Sequence, residues 1–276
     1  MGQNEQVLRE FIDTVVKYYR AHGRHDLAWR REEANGYLDP YKVMVSELML
    51  QQTQVSRVVP KYEAFLRQFP TYQELAAAEL GEVLRAWQGL GYNRRAKFLW
   101  EAAKAIENRA DFPQSYEGLV ALPGVGPNTA GAILAYAFNT PAVFIETNIR
   151  TVYIHHFFRD AESVSDSSIR DVLEQTIDRE NPREFYWALM DYGSFLKTTV
   201  RNNTQSRHYT KQSAFHGSRR EVRGAVLRVL AESPTSLRQL KIKIADERLP
   251  WVLEALETEQ LIGKSNGYYK LGSGTM

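Results

Sequence analysis

From Val7 onward the apolar residues of this chain return every three or four positions, and they continue to do so, between short polar breaks, for almost two hundred residues. Val7, Phe11, Val15, Val16 and Tyr19 form the first such stripe, and the stretches 43–56, 60–69, 81–87 and 95–107 repeat it. That period places the apolar residues on one face of a helix, whereas a strand would need alternation. No alternating run of useful length precedes residue 260, and no fixed-period repeat or low-complexity tract breaks the pattern. The expected fold is all-α.

With 276 residues, a large part and a smaller appendage are expected rather than one small domain. Residues 198–223 carry six Lys or Arg, one acid and little apolar periodicity, which marks 198–220 as a basic linker after a domain over 1–197. Beyond it, Val222, Val226, Val229 and Leu230 make one helix face, Leu237 and Leu240 a second, and Leu249, Val252, Leu253 and Leu256 a third. Residues 261–271 read as a hairpin around Asn266-Gly267, a dipeptide that accepts the positive φ angles of a tight turn. Three short helices and a terminal hairpin suggest a winged-helix-like domain over 221–276. Its ten basic and seven acidic residues over 219–270 leave DNA contact and a structural or dimerising role equally open.

Composition narrows the chemistry. Thirty-five Lys and Arg against 33 Asp and Glu leave a net charge of +2, so a nucleic-acid partner would need a local basic face. No apolar run approaches the roughly 18 residues of a membrane span. The opening residues show no signal-peptide pattern, so the expected place is the cytoplasm or nucleoid, with no membrane partner. The absence of cysteine excludes disulfides, thiolate zinc sites and a cysteine-ligated iron–sulfur cluster.

Residues 122–131 read Leu-Pro-Gly-Val-Gly-Pro-Asn-Thr-Ala-Gly between helical stretches. Two glycines one residue apart let the backbone turn tightly and come close to a ligand, and the amides that open the next helix face outward to meet a phosphate. Gly124, Gly126 and Thr129 are therefore candidate DNA-backbone contacts, of a kind that holds DNA without reading its sequence. Gly-Val-Gly in isolation is more often an ordinary turn between helices, and its context reverses that reading.

This motif, followed about twenty residues later by an acid, resembles the helix-hairpin-helix DNA glycosylases. Within them, Ser-Glu-Leu-Met-Leu-Gln-Gln-Thr-Gln over 46–54 and Gly-Leu-Gly-Tyr over 89–92 look like the adenine-DNA glycosylases that remove adenine opposite 8-oxoguanine. The match runs over residues 24–197, about two thirds of the chain. It implies a two-lobed helix-hairpin-helix fold, double-stranded DNA containing a mispair or lesion as partner, and a base flipped out and hydrolysed away to leave an abasic site. A monomer is expected, although no sequence feature bears on the oligomeric state.

Glu47 lies in an apolar helical stretch, where an unpaired carboxylate is costly and its pKa should rise, which suits a general acid. The resemblance implies that Glu47 protonates the leaving adenine and helps to activate water; a buried acid paired with an Arg is the plain alternative. Glu146 stands where the family places an aspartate beneath the developing oxocarbenium ion, and its extra methylene shifts the carboxylate by about a bond length. Asn148 matches an asparagine that orients the site, or else caps a helix. Gln52 and Tyr92 match residues that wedge into the duplex where the nucleotide has left. Trp29, Arg30, Leu50 and Val55 match the lining of the base pocket, with core packing the alternative for the apolar members. Arg94, Arg95 and Lys97 form a phosphate-contacting run or a solvated helix face. The backbone carbonyls of Val120, Leu122 and Val125 match ligands of a structural sodium or potassium ion that bridges to a phosphate.

Position 128 sets the reaction subclass. Relatives that also nick the strand carry a lysine there, which forms a Schiff base with the sugar, and Asn128 cannot do so. The expected enzyme is a monofunctional DNA N-glycosylase without cofactor. Three departures accompany the resemblance. Lys197 replaces the first ligand of the family's four-cysteine loop, so no iron–sulfur cluster is expected and the basic segment stands in its place. Tyr186-Trp187-Ala188 replaces polar residues, and only residues 221–276 follow the linker where a longer Nudix-like domain is usual. That last difference leaves the opposite base open, and a thymine or uracil glycosylase for G mispairs or a non-catalytic DNA-binding protein remain alternative readings.

Overall fold

The computed structural model describes residues 3–33, 35–109, 111–200, 202–210 and 214–272. In chain order the α-helices are α1 (Gln3–His22), α2 (Pro40–Leu50), α3 (Val55–Gln68), α4 (Tyr72–Ala77), α5 (Leu80–Ala86), α6 (Arg94–Glu107), α7 (Tyr116–Val120), α8 (Pro127–Phe138), α9 (Thr147–Phe157), α10 (Asp166–Thr176) and α11 (Pro182–Thr199). Then come α12 (Arg219–Glu232), β1 (Thr235–Ser236), α13 (Leu237–Lys243), α14 (Leu249–Thr258), β2 (Ile262–Ser265) and β3 (Tyr268–Leu271). The helical reading is borne out, with one informative break: the apolar period over 43–56 does not belong to one helix, because α2 stops at Leu50 and α3 starts at Val55. None of the described helices is long and apolar enough to cross a membrane.

Two compact units divide the chain, and neither is continuous in sequence. The first joins Met1–Val43, Gln114–Ala121 and Val125–Lys211. Its core forms because α1 turns Phe11, Val15 and Tyr19, spaced by four, onto α10 and α11, while α11 buries Phe185 through Leu189. Aromatic rings fill much of this interior, with Phe144 and Tyr186 stacked at 4.1 Å and Tyr136 and Trp187 at 6.1 Å.

A buried ion cluster ties the start of the chain to α11. Asp191 accepts two bonds from Arg30, at 2.8 and 2.9 Å, and one from the Arg24 backbone N–H at 2.7 Å, and it also binds the Arg24 guanidinium. Burial works to raise the Asp191 carboxyl, but Arg30 and then Arg24 outweigh it and hold the group below its usual 3.8. Asn202, Gln205 and Arg207, in what the sequence suggests is a linker, are fastened to the same unit. Asn202 donates to the Thr151 carbonyl (3.1 Å), Gln205 to those of Arg159 and Ala161 (3.0 and 2.8 Å), and the Arg207 N–H to that of Val164 (3.0 Å).

The second unit joins Met44–Pro113, Leu122–Gly124 and Gln212–Met276. Helices α12 to α14 and the antiparallel sheet, in the order β1-β3-β2, have winged-helix topology, and Asn266-Gly267 turns the hairpin at φ 52° and 80°. These elements are not a separate body. They pack with α5 and α6: Arg85 donates to the Ala231 carbonyl (3.3 Å), Gln88 to that of Leu227 (3.4 Å) and Lys97 to that of Glu259 (3.0 Å). The division therefore cuts across the one drawn from sequence at 198–220.

Asp191→Asn keeps the shape but leaves the Arg30 guanidinium, whose side chain is only 5 % exposed, without a counter-charge. Chemical denaturation at neutral pH should show a loss of about 3–5 kcal/mol. Because the folded pKa lies below the unfolded one, this contribution is present above 3.8 and disappears as pH falls through the lower folded value. The native and variant stability curves should therefore converge only in acid; parallel curves down to the acid limit would refute the linkage.

Candidate active site

In the first unit the sequence around Glu146 is braced from both sides. Glu146 is the N-cap residue of α9, with extended backbone and no side-chain capping bond. It is half-buried, and burial raises its carboxyl above the usual 4.5, while the Arg150 charge pulls the other way. Arg150 is itself held by Asp166 through two bonds of 2.7 Å. Just before Glu146, the Asn128 side chain pairs with the Ile145 backbone in both directions: its amide donates to the carbonyl (2.9 Å), and its oxygen accepts from the N–H (3.3 Å). Two residues after it, Asn148 donates to the Met190 carbonyl on α11 (3.2 Å) rather than capping its own helix. The close approach of α11 requires Gly193, since a Cβ there would lie 2.3 Å from the Asn148 carbonyl oxygen.

Trp29 and Arg30, expected at the base pocket, are both buried in a short 3-10 turn. The Arg30 guanidinium is committed to Asp191 and lies 5.4 Å from the Trp187 ring centroid. Here Trp187 supplies what the sequence could not explain, an aromatic face for a buried cation.

In the second unit Glu47 is half-buried on α2 between the buried Ser46 and Leu48, and Leu50 and Val55 are half-buried at the helix end and the next helix start. Gln52, in the intervening turn, has φ 54°, and Tyr92, which ends the Gly-Leu-Gly-Tyr loop, has φ 47°. Side chains of this bulk seldom adopt the left-handed region, so both loops must be held from outside. Arg95 holds them. Its guanidinium donates to the carbonyls of Leu48, Met49, Gln51 and Gly91 at 2.5–3.1 Å and to the Thr53 hydroxyl at 3.1 Å. Desolvation lowers its pKa to about 10. The expected phosphate contact is thus an interior brace, and the signal was present: Arg95 shares the helix face of Leu99, Ala102 and Ile106. Arg94 is exposed, over the Phe98 ring at 5.4 Å, and Lys97 is drawn to Glu259 and Gln260.

The two glycines of the hairpin do different work. Gly124 has φ +75°, and a Cβ there would sit 2.5 Å from the Cβ of Phe98, so the fold itself demands glycine. Gly126 caps α8 at an ordinary φ of −85°, is exposed, and has open space where a Cβ would stand. Among the described residues nothing lies where a Cβ at 126 would stand, so packing within the fold does not require glycine there. Thr129 is buried, as are the side chains of Leu122 and Val125, while Val120 is exposed at the end of α7. Among the described residues no group of three or more His, Asp or Glu is placed to hold a metal ion. An iron–sulfur cluster does not fit this chain, which offers no thiolate and whose segment after α11 is taken up by hydrogen bonds to the 151–164 backbone.

Gly124→Ala should therefore lower the denaturation midpoint, by about 1–3 kcal/mol of stability. Gly126→Ala should cost less than about 1 kcal/mol yet weaken binding to duplex DNA. An equal stability loss in both variants would show that the two positions are alike.

A model of the HhH-GPD superfamily of base excision DNA repair proteins matches residues 45–176. Curated relatives named adenine DNA glycosylase include one of Mycolicibacterium smegmatis, 33% identical over an alignment of 242 residues that covers 81% of this chain and 81% of the relative. One of Mycobacterium tuberculosis is 35% identical over 85% of this chain and 84% of its own. Another, of Buchnera aphidicola, is 35% identical over 67% of this chain, which spans about half (52%) of that relative's length. Among solved structures, a thermostable thymine-DNA glycosylase has a TM-score of 0.62 at 23% identity, covering 70% of this chain and 88% of that one. A trapped endonuclease III–DNA covalent intermediate has a TM-score of 0.57 at 19% identity over 71% and 88%. The chain belongs to the HhH-GPD superfamily of base excision DNA repair proteins, in the branch of the adenine DNA glycosylases.

Proposed function

We propose that this chain is a monofunctional DNA glycosylase that flips adenine out of an 8-oxoguanine or guanine mispair and hydrolyses its N-glycosyl bond, leaving an abasic site. The observation that carries the subclass is Asn128. Where a strand-nicking relative would present an amine, an amide stands with its donor and acceptor both engaged on the Ile145 backbone, next to Glu146. The relatives matched over four fifths of the chain support adenine as the base.

In this reading Glu47 delivers a proton to the departing base, which leaves with the bonding electron pair, and the sugar becomes an oxocarbenium ion. The Glu146 carboxylate stabilises that positive charge, water adds to the sugar carbon, and the proton released from water returns to a carboxylate. Asn148 keeps the start of α9 in place for Glu146. Gln52 and Tyr92 fill the gap in the duplex, Leu50 and Val55 line the base pocket, and Arg94 meets the phosphates with the amides that open α8. The backbone carbonyls of Val120, Leu122 and Val125 are the ligands proposed for a sodium or potassium ion. The enzyme acts without an iron–sulfur cluster, as a monomer in the cytoplasm, at the nucleoid.

Glu47→Gln removes the transferable proton with little change in shape. Single-turnover excision on a duplex with A opposite 8-oxoguanine should fall at least ~10²-fold while binding stays within a few fold. Near-native excision would make Glu47 structural. Parallel reactions with A opposite G, T opposite G and U opposite G test the base, and preferred loss of T or U would overturn adenine.

Asn128→Lys should gain lyase activity, since its amine would project toward the backbone that presents Glu146. Borohydride should then trap a covalent adduct with DNA in the variant and not in the native protein. A variant that folds and excises base without a trapped adduct would misplace position 128, and an adduct with the native protein would end the monofunctional assignment.

A further inference from the structure

Tyr92 combines three features that ordinary loop residues do not share. Its φ of 47° is unusual for a bulky side chain, the residue is 38 % exposed, and cations lie on its ring from two separate parts of the sequence. The Arg95 guanidinium carbon lies 5.4 Å from the ring centroid. That of Arg220, from 128 residues further on, lies 5.9 Å from it, and Arg220 Nη1 donates to the Tyr92 hydroxyl at 3.0 Å. Arg220 belongs to the first turn of α12, and its Nη2 also donates to the Ala214 carbonyl at 3.4 Å.

We infer that Arg220 is a positioning residue for Tyr92, through which the C-terminal module takes part in binding duplex DNA. The assignment rests on the proposed role of Tyr92 in entering the duplex. Contact at both ends of the ring is what such a role needs: Arg95 fixes the loop from which the side chain springs, and Arg220 fixes the hydroxyl end, so the ring keeps one orientation before DNA arrives. Preorganisation of this kind removes an ordering cost from binding. The module can serve as a fixed anchor because it is fastened elsewhere. Beyond the bonds of Arg85, Gln88 and Lys97, the Leu271 carbonyl oxygen comes within 2.9 Å of where a Gly81 Cβ would stand, which leaves no room between α5 and β3. Arg223, one turn beyond Arg220, is paired with Glu259 at 2.6 and 3.0 Å and holds α12 to the end of α14. The basic character of the module's first helix thus has a specific use, orientation of an aromatic side chain, rather than a diffuse attraction to phosphate.

The test uses the full chain and a duplex with A opposite 8-oxoguanine, together with a duplex carrying 2-aminopurine beside the target to report unstacking. Arg220→Ala should melt like the native protein and bind the lesion duplex about tenfold or more weakly, as expected when a stacking side chain is no longer held. Its 2-aminopurine signal should fall, its loss in affinity should exceed its loss in single-turnover rate at saturating enzyme, and its dependence on salt should match the native one. Arg220→Lys, which keeps a charge but not the planar fork, should recover part of the affinity. Tyr92→Phe, which keeps the ring and removes only the bonded hydroxyl, should reproduce the fall in 2-aminopurine signal and decides the matter even if Arg220→Ala folds poorly. Unchanged affinity and fluorescence in Tyr92→Phe and in a folded Arg220→Ala would overturn the inference while native excision still upheld the enzyme. A salt slope reduced by about one would also overturn it, since that marks direct phosphate contact. A native protein that binds no duplex would overturn both.

Discussion

At the end of α2 the carbonyls of Leu48, Met49 and Gln51 have no following helical turn to meet them, and Leu48 and Met49 are buried. A helix end of this kind leaves several acceptors without partners, at about 1–3 kcal/mol for each one buried. Arg95 answers most of them with one side chain, because a guanidinium is a rigid planar fork of donors. The same group reaches Thr53 and Gly91, so that the turn carrying Gln52 and the loop carrying Tyr92 depend on one buried cation. Its burial is unfavourable and brings its pKa down to about 10, which still leaves it charged at neutral pH.

The first unit solves a related problem with the opposite sign of charge. Asp191 is a buried carboxylate that gathers Arg24 and Arg30, and one turn of α11 around it also supplies the carbonyl that takes Asn148 and the glycine that lets α9 approach. The strand-like residues ahead of Glu146 are held by a side-chain amide that imitates a backbone partner. The carboxylate proposed to face a developing cation is thereby fixed through its backbone neighbours and left without a capping bond of its own. Burial raises the pKa of this acid, and the Arg150 charge works against that rise in favour of the carboxylate.

The terminal module shows how a short appendage can matter to a larger site. Its charge balance left a DNA role and a structural role equally open, and a single residue on its first turn touches the loop of interest. The fastening of Asn202, Gln205 and Arg207 likewise gives the cysteine-free segment an organisation built from amide-to-carbonyl bonds instead of metal ligands.

Helical periodicity, the hairpin around Asn266-Gly267 and the ordered motifs at 46–54, 89–92 and 122–131 were legible in the sequence, because they rest on local spacing and turn chemistry. The lack of cysteine and the amide at 128 likewise need no coordinates. What local spacing cannot say is which partner a polar side chain finds. Arg30 and Arg95 looked like ligand contacts and became interior braces, Lys197 marked an absence that other residues fill, and the break at Gln52 fell inside a stretch, 43–56, that reads as one helical period. Arg220 meets Tyr92 across 128 residues of chain. The sequence by itself determined the elements, the family and the residue types available for the chemistry. Only tertiary structure decided which charges would be buried together, because the cost of desolvating a charged group is met by partners that folding brings from distant parts of the chain.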